Sequence, residues 1–283
     1  SPRQLAILLR SGCAAFAVMN DSSEVFRIIN DRRSTRSFLD RVVSEDKISH
    51  ILEAGMRAPF AAQLCSVVYT RNKEKMKELR IGAYPSTPVL LVFLIDLRRL
   101  EKIMSLRGHE YGYDDTMSIW LGLQDVSLVV ENVTLAAEAV GLGSVLLGIA
   151  PVRADTISEV FRVPKRVFPV VGMCLGYPDP SDETQIRPRF PLEFSAFEDT
   201  YLDHSEEDIH VCMKEMDEGF LAQGYYIKKR IKVPLEDQED NIGFDHYSWS
   251  EHISRKFRRE RWKGERLLSI LGRHGFNLES EGE

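Results

Sequence analysis

The most constraining feature of the sequence is the run 88–96, nine residues in which apolar side chains follow one another up to a final aspartate. A run of this length is typical of a β-strand, and the absence of alternating polar positions predicts a central strand that is buried on both faces. The chain must therefore cover both faces of that strand with other elements.

The other elements follow from periodicity, capping residues and glycine or proline stops. Their order mixes helices and strands without strict alternation, which favours an α+β fold over a doubly wound one. The predicted strands are 66–70, 88–96, 144–147 and 169–176, and the predicted helices are 23–31, 45–56, 72–80, 117–141 and 152–161, then a helical stretch at 206–230 and two helices within 248–272.

Composition excludes several classes of protein. The chain has 37 basic and 43 acidic residues, a balance that argues against general nucleic-acid binding. Four scattered cysteines and seven histidines without metal-binding spacing predict neither a metal site nor a disulfide framework, and they suit a reducing cytoplasm. The most apolar stretch, 117–147, is interrupted by acidic residues before it reaches the roughly 20 residues of a membrane helix, so no membrane association is expected.

The segment Arg32 to Arg36 is the first candidate for chemistry. In extended backbone, alternate side chains share a face, which groups Arg32, Ser34 and Arg36. Two guanidinium groups and a hydroxyl on one face predict an anion site, suited to a phosphate or an electron-rich ring edge. A solvated basic strand is the alternative interpretation.

Further segments, in order along residues 24–200, strengthen the first interpretation. Together they make the sequence resemble the FMN-dependent nitroreductase family. The matching pieces are Arg-Arg-Ser-Thr-Arg-Ser-Phe at 32–38, Ala-Gly-Met-Arg-Ala-Pro at 54–59, the stretch 123–144, Val-Gly-Met-Cys-Leu-Gly-Tyr-Pro at 171–178, and Arg-Pro-Arg-Phe-Pro-Leu-Glu at 187–193.

The resemblance implies a three-layer sandwich with a mainly antiparallel sheet flanked by helices, and a homodimer with FMN at the subunit interface. The flavin domain would span residues 23–204. Residues 1–22 would be an N-terminal extension outside the main fold; their apolar run is too short for a secretory leader.

The resemblance also implies the cofactor-binding residues. The first arginine-rich segment would bind the flavin through Arg32, Arg33, Ser34 and Arg36, and the late basic pair, Arg187 and Arg189, would bind its phosphate. The backbone after the Gly-Leu-Gly-Ser element would approach flavin N5 at Leu147, Gly148 and Ile149. The loop after Ala-Pro would reach the flavin of the other subunit with Pro59, Phe60, Ala61 and Gln63.

The implied activity is reduction of a nitroaromatic, quinone or related small acceptor by NADH or NADPH in a ping-pong flavin mechanism. No protein catalytic residue is needed, because the flavin carries the chemistry. Arg36 would stabilise negative charge on the reduced ring, and Gly148 suits a close approach of backbone to its edge. The alternatives are a reductive dehalogenase or flavin-consuming enzyme of the same fold, and a non-catalytic flavin-binding or regulatory module whose basic C-terminal segment binds a partner.

The chain departs from the family pattern in two places. The loop 58–67 lacks the usual serine, asparagine and tryptophan, and Phe60 and Leu64 make its mouth more apolar, while Cys65 is expected to be a buried, inert thiol rather than a redox one. Residues 205–283 form a helical extension that would wrap the partner subunit or cover the flavin site. Its segment 255–266 carries seven basic residues against two acidic ones, which we expect to face solvent or the acidic stretch 236–245.

Overall fold

The computed structural model describes residues 23–235, 239–258 and 263–278. The chain divides into two compact units, residues 1–32 and 33–283. In the first unit, helix α1 spans Glu24–Asp31, and Arg27 pairs with Glu24 within it. Arg32 follows as the C-cap residue, and its backbone N–H donates to the carbonyl of Ile28.

The second unit is built around one antiparallel sheet. Its strands are β1 (Cys65–Thr70), β2 (Val89–Asp96), β3 (Gly143–Leu147) and β4 (Val167–Gly176), in the spatial order β1-β2-β4-β3. Strand β2 pairs on both edges, with Phe93 opposite Val67 of β1 and Val171 of β4. The prediction of a central strand at 88–96 is confirmed.

Side chains of β2 alternate between two hydrophobic clusters, as a strand buried on both faces requires. Phe93 and Ile95 belong to the first cluster, which helices α2 (Glu45–Gly55) and α5 (Asp115–Ala139) cover. Leu94 belongs to the second, which α3 (Lys73–Leu79) and α6 (Ala154–Phe161) cover. The helix–sheet–helix layering confirms the predicted α+β sandwich.

Helices α2 and α5 approach closely because the contact residue of α2 is a glycine. A Cβ on Gly55 would lie 2.3 Å from Cγ2 of Val133, so no larger residue fits without a shift. Within the described part of the chain, no helix is long and apolar enough to cross a membrane.

Helix α4 (Leu97–Leu106) is absent from the sequence-based prediction. It begins directly at the end of β2, where the Asp96 side chain accepts a hydrogen bond from the backbone N–H of Arg99 at 3.0 Å. The capping aspartate is the signal that could have revealed the helix.

The described residues of the C-terminal segment form four helices: α7 (Glu206–Ala222), α8 (Tyr225–Lys229), α9 (Trp249–Arg258) and α10 (Gly264–Arg273). The helical stretch predicted at 206–230 is broken by Gly224, which has a left-handed φ of 59°. Arg255 of α9 is buried and pairs with Asp240, so this part of the basic segment faces the acidic stretch as expected. The predicted basic residues at 259–262 lie outside the described residues.

Helix α10 is part of the main core. Ile270 and Leu271 belong to the first hydrophobic cluster, together with Phe93 and Ile95 of β2. The following residues are held by Arg166, which donates to both Asp115 oxygens at 2.7 Å and to the carbonyl of Gly275 at 2.8 Å. The last described turn of the chain is therefore anchored to the start of α5.

Candidate active site

Ser34 and Thr35 of the arginine-rich segment lie beside β3. Ser34 forms an isolated parallel bridge with Ser144, and the backbone N–H of the buried Thr35 donates to the Ser144 carbonyl at 2.9 Å. A Cβ on Gly143 would lie 2.2 Å from Oγ1 of Thr35, so glycine permits this close approach. The predicted extended backbone is present, although it forms one bridge and not a full strand.

Asp182 fixes the position of Arg36. Its Oδ2 accepts hydrogen bonds from the backbone N–H groups of Arg36 at 2.7 Å and Ser37 at 3.2 Å, and its Oδ1 accepts from the Thr184 hydroxyl at 2.6 Å. Burial opposes ionisation of Asp182, but these hydrogen bonds outweigh it, so its pKa lies below the ordinary value. The carboxylate is thus engaged by backbone and hydroxyl donors while the Arg36 guanidinium donates to the Ser34 carbonyl.

The C-terminal segment holds Arg187 in place. Arg187 Nη1 donates to Gln223 Oε1 at 2.6 Å, and Gln223 Nε2 donates to the Ile186 carbonyl at 2.7 Å. The guanidinium lies over the Tyr225 ring, 3.9 Å from its centroid. Residues beyond position 204 therefore form one wall around a predicted site residue.

Lys229 of α8, which the sequence analysis did not identify, forms a group of positive charges with Arg36 and Arg187. Burial lowers the pKa of Arg187, and the charge of Arg36 lowers it further. Burial likewise lowers the pKa of Lys229, with Arg36 and Arg187 adding to the effect. We call Arg36, Arg187 and Lys229 the cation cluster; their mutual repulsion marks a place where an anion would be stabilised.

Arg187 and Lys229 also line a small cavity of about 130 Å³, together with Asp182 and Thr184. Lys228 and Glu183 border the cavity as well, so its lining has three basic and two acidic residues. Asp182 already accepts hydrogen bonds from the Arg36 backbone and the Thr184 hydroxyl, which leaves the basic residues to bind an anionic ligand.

The remaining basic residues are placed differently. Arg33 is exposed, and Arg189 is exposed with its guanidinium donating to the carbonyls of Arg187 and Pro188, each at 3.0 Å. Arg32 belongs to the N-terminal unit and is described with that unit alone. Of the predicted arginines, the structure brings Arg36 and Arg187 within electrostatic reach of each other.

The end of β3 presents open backbone. Leu147 and Ile149 pack against the second hydrophobic cluster, whereas a Cβ on Gly148 would meet no atom within 4 Å. Neither packing nor a positive φ requires glycine here, so the open space agrees with close approach of a ligand. Gly148 lies four residues beyond the Ser34 bridge at Ser144, about 13 Å along an extended chain.

The loop after α2 is organised by Asp125 of α5, which is buried. Its carboxylate accepts hydrogen bonds from the backbone N–H groups of Ala61 at 2.6 Å, Ala62 at 3.3 Å and Leu64 at 2.8 Å. Pro59, at the start of this loop, is exposed. The loop is thus held by one carboxylate, a signal that was visible in the sequence only as an acidic residue inside an apolar helix.

Gln63, Phe60 and Cys65, in and just after this loop, have different environments. Gln63 has a left-handed φ of 56°, and its carbonyl accepts a hydrogen bond from Arg99, while Phe60 is 59% exposed. Cys65 is buried, and burial raises the pKa of its thiol to about 12. The expectation of a buried, inert thiol agrees with both observations.

Comparison with known proteins decides the family. The model of the nitroreductase family matches residues 29–86 and 86–177. The chain belongs to the nitroreductase family. The match covers β1 to β4 and the arginine-rich segment, so the family resemblance noted in the sequence is confirmed.

Individual relatives extend the match well beyond residue 177. The chain is 29% identical to FMN reductase [NAD(P)H] of Bacillus subtilis over 267 residues, covering 91% of this chain and 99% of that protein. An alignment of that length includes much of residues 205–283, so the C-terminal segment is shared with this relative.

Solved structures agree with the family assignment. NfrA2 of B. megaterium aligns with a TM-score of 0.76 at 28% identity, covering 91% of this chain and 99% of that one. The NADPH:FMN oxidoreductase of Vibrio harveyi, complexed with NAD+, aligns with a TM-score of 0.72 at 25% identity, covering 89% and 98%. The nitroreductase fold thus includes the C-terminal helices in these neighbours as well.

Proposed function

We propose that this chain is an FMN-dependent oxidoreductase that takes electrons from NADH or NADPH and passes them to a small acceptor. The single observation that carries the proposal is the cation cluster, whose members Arg187 and Lys229 line one cavity, found in a chain of this family. Relatives named FMN reductase and NADPH-dependent oxidoreductase support the choice of cofactor and donor.

The residues present fit FMN at two points. Arg187 and Lys229 of the cation cluster offer positive charge to a phosphate dianion. Gly148 leaves open space beside backbone at the end of β3, where a planar ring could approach. When bound, FMN supplies hydride acceptance from the nicotinamide and electron delivery to the acceptor.

The protein's own contribution is binding and orientation. Arg187 and Lys229 would bind the phosphate, with Arg187 directed by Gln223 and Tyr225. Arg36, held through its backbone by Asp182, would stabilise negative charge at the ring edge. Ser34, anchored to Ser144, places a hydroxyl in the same segment.

Other predicted positions enter the proposal with weaker roles. Arg189 and Arg33 are exposed and would add charge at the rim of the site. Leu147 and Ile149 would fix the backbone on either side of Gly148. Arg32 stays a predicted flavin contact on the strength of the family motif alone.

We further propose a homodimer in which the loop of Pro59, Phe60, Ala61 and Gln63 reaches the flavin of the partner subunit. Helix α5 supports this, because Met117 is 47% exposed and Trp120 is 61% exposed at helical spacing. Exposed large apolar side chains on one helix face are typical of a subunit interface. The exposed Phe60 would then favour planar aromatic acceptors such as nitroaromatics or quinones.

The test starts with the purified protein reconstituted with FMN under anaerobic conditions. Addition of NADH or NADPH should bleach the flavin absorbance, and a nitroaromatic or quinone added afterwards should restore it. Parallel double-reciprocal plots would agree with ping-pong kinetics. Bound flavin that neither donor reduces would favour the regulatory module instead.

A further inference from the structure

A second cavity lies on the sheet face that bears the second hydrophobic cluster, between helix α4 and the connection from α6 to β4. Its volume is about 470 Å³, within the range of small-molecule sites. No residue of the cation cluster lines it. Its apolar surface is formed by Val68, Leu94 and Val167 of the sheet, Ile103 and Leu106 of α4, and Phe161.

The groove remains open although its surroundings are apolar. Leu94 and Val167 are buried at its base, whereas Ile103 is 53% exposed and Leu106 is 88% exposed at its mouth. Large aliphatic side chains left in water on one helix, above an apolar floor, indicate a surface that an apolar ligand could cover.

The polar part of the groove is almost entirely cationic. Arg98, Arg99, Lys102 and Arg162 line it, with Asp96 as the acidic residue among its described lining. Asp96 is already engaged, since it accepts from the Ser66 hydroxyl at 2.6 Å and pairs with Arg99 at 3.6 Å. Its charge is therefore compensated inside the groove.

Three cations remain without an acidic partner. In the parts of the chain that the structure describes, no carboxylate lies within 4.0 Å of Arg98, Lys102 or Arg162. Glu101, the acidic residue of α4, pairs with Arg166. Arg98 and Lys102 stand one turn apart in the first half of α4, and Leu106 follows one turn later, about 12 Å from Arg98 along the axis.

We propose that this groove binds an aliphatic carboxylate of medium chain length. The carboxylate would lie among Arg98, Lys102 and Arg162, and the chain would cover Ile103 and Leu106. A cation would be repelled, and a neutral apolar molecule would leave the three charges without a partner. The 12 Å between the charged and apolar ends of α4 matches the length of decanoate.

Calorimetric titration of the full chain, saturated with FMN, tests the ligand class. Decanoate should bind, whereas 1-decanol, which has the same chain without charge, and acetate, which has the same head without a chain, should bind at least about tenfold more weakly. Binding of decanoate should weaken as salt is raised. Equal binding of decanoate and 1-decanol would overturn the proposal.

Variants locate the site, because the exposed side chains chosen can be changed without disturbing the core. Lys102→Met and Arg162→Met should each weaken decanoate binding roughly fivefold to tenfold, after discounting for solvent screening. Lys75→Met, which removes an exposed lysine from α3, is the matched control and should leave the affinity unchanged. Decanoate affinity that is the same in all three variants would show binding elsewhere and refute the groove.

A second copy of the chain could also cover the groove. In that case Leu106→Ser would change the sedimentation of the protein, and decanoate would fail to bind the wild type. This outcome would overturn the carboxylate proposal in favour of a protein contact. Neither result depends on flavin reduction, so the groove can be tested even if the proposed activity fails.

Discussion

Replacing Gln223 by alanine tests whether the C-terminal segment positions the flavin site. Gln223 connects α7 to the loop of Arg187, accepting from its guanidinium at 2.6 Å and donating to the Ile186 carbonyl at 2.7 Å. Gln223→Ala removes both hydrogen bonds and leaves the rings of Tyr225 and Phe220 in contact with the Arg187 guanidinium. We expect weaker FMN binding in a protein that still folds.

The magnitude follows from the contacts. A hydrogen bond to a charged group contributes about 1.5–3 kcal/mol, and partial exposure of the pair reduces the lower limit to about 1 kcal/mol. Since Arg187 retains its charge, we expect a loss of about 1–2 kcal/mol in FMN binding. This corresponds to a Kd roughly fivefold to thirtyfold higher.

The assay is the quenching of flavin fluorescence on titration of FMN with protein. Glu218→Ala, which breaks an exposed ion pair with Lys214 on the same helix, is the control and should change the Kd by less than about twofold. Gln223→Glu should keep the hydrogen bond to Arg187 but neutralise its charge, and it loses the donor to the Ile186 carbonyl, so FMN affinity should fall at least as far as in Gln223→Ala. An unchanged Kd in both Gln223 variants would refute the positioning role.

Three further predictions concern the cluster, the loop and the anchor of α10. Lys229→Met should weaken FMN binding about tenfold and reduce its salt dependence, whereas Lys75→Met, at an exposed lysine of α3 outside the cavity, should have little effect; both are measured by the same titration. Asp125→Ala should lower the free energy of unfolding by about 2–4 kcal/mol in urea, because three backbone N–H groups lose their acceptor. Burial raises the pKa of Asp115, but hydrogen bonds from Arg166 and the backbone of Asn277 outweigh burial, so the pKa lies below its ordinary value. The contribution of Asp115 to the free energy of unfolding is therefore present above about pH 4 and is lost as the pH falls towards that lowered pKa. Urea unfolding at several pH values should show this loss, and Asp115→Asn should be less stable near neutrality with a shallower acid dependence.

Much of the fold follows from patterns that are local in sequence. The nine-residue apolar run and the long apolar helix identified β2 and α5, since burial on one or both faces fixes their periodicity. Helix α4 was missed because it begins without a loop, directly after the strand. The break at Gly224 was missed because residues with helical patterning continue on both sides of it.

The site was only partly predictable, for a physical reason. Arg36 and Arg187 stand in segments with a family motif, so their sequence neighbours identify them. Lys229 and Gln223 lie in a mixed-charge helical stretch, 206–230, in which charged side chains are frequent and many of them face solvent. Their importance arises from folding α7 and α8 against the loop of Arg187, a long-range contact that no local pattern encodes.

The most direct test of the cation cluster compares FMN with riboflavin, which differ only in the phosphate. If Arg187 and Lys229 bind that phosphate, FMN should bind about a hundredfold or more tighter than riboflavin to the wild-type protein. Arg187→Met should reduce this ratio by at least about tenfold while changing riboflavin binding little. Equal affinities of the wild type for the two flavins would contradict the account, because the cluster would then make no use of its charge.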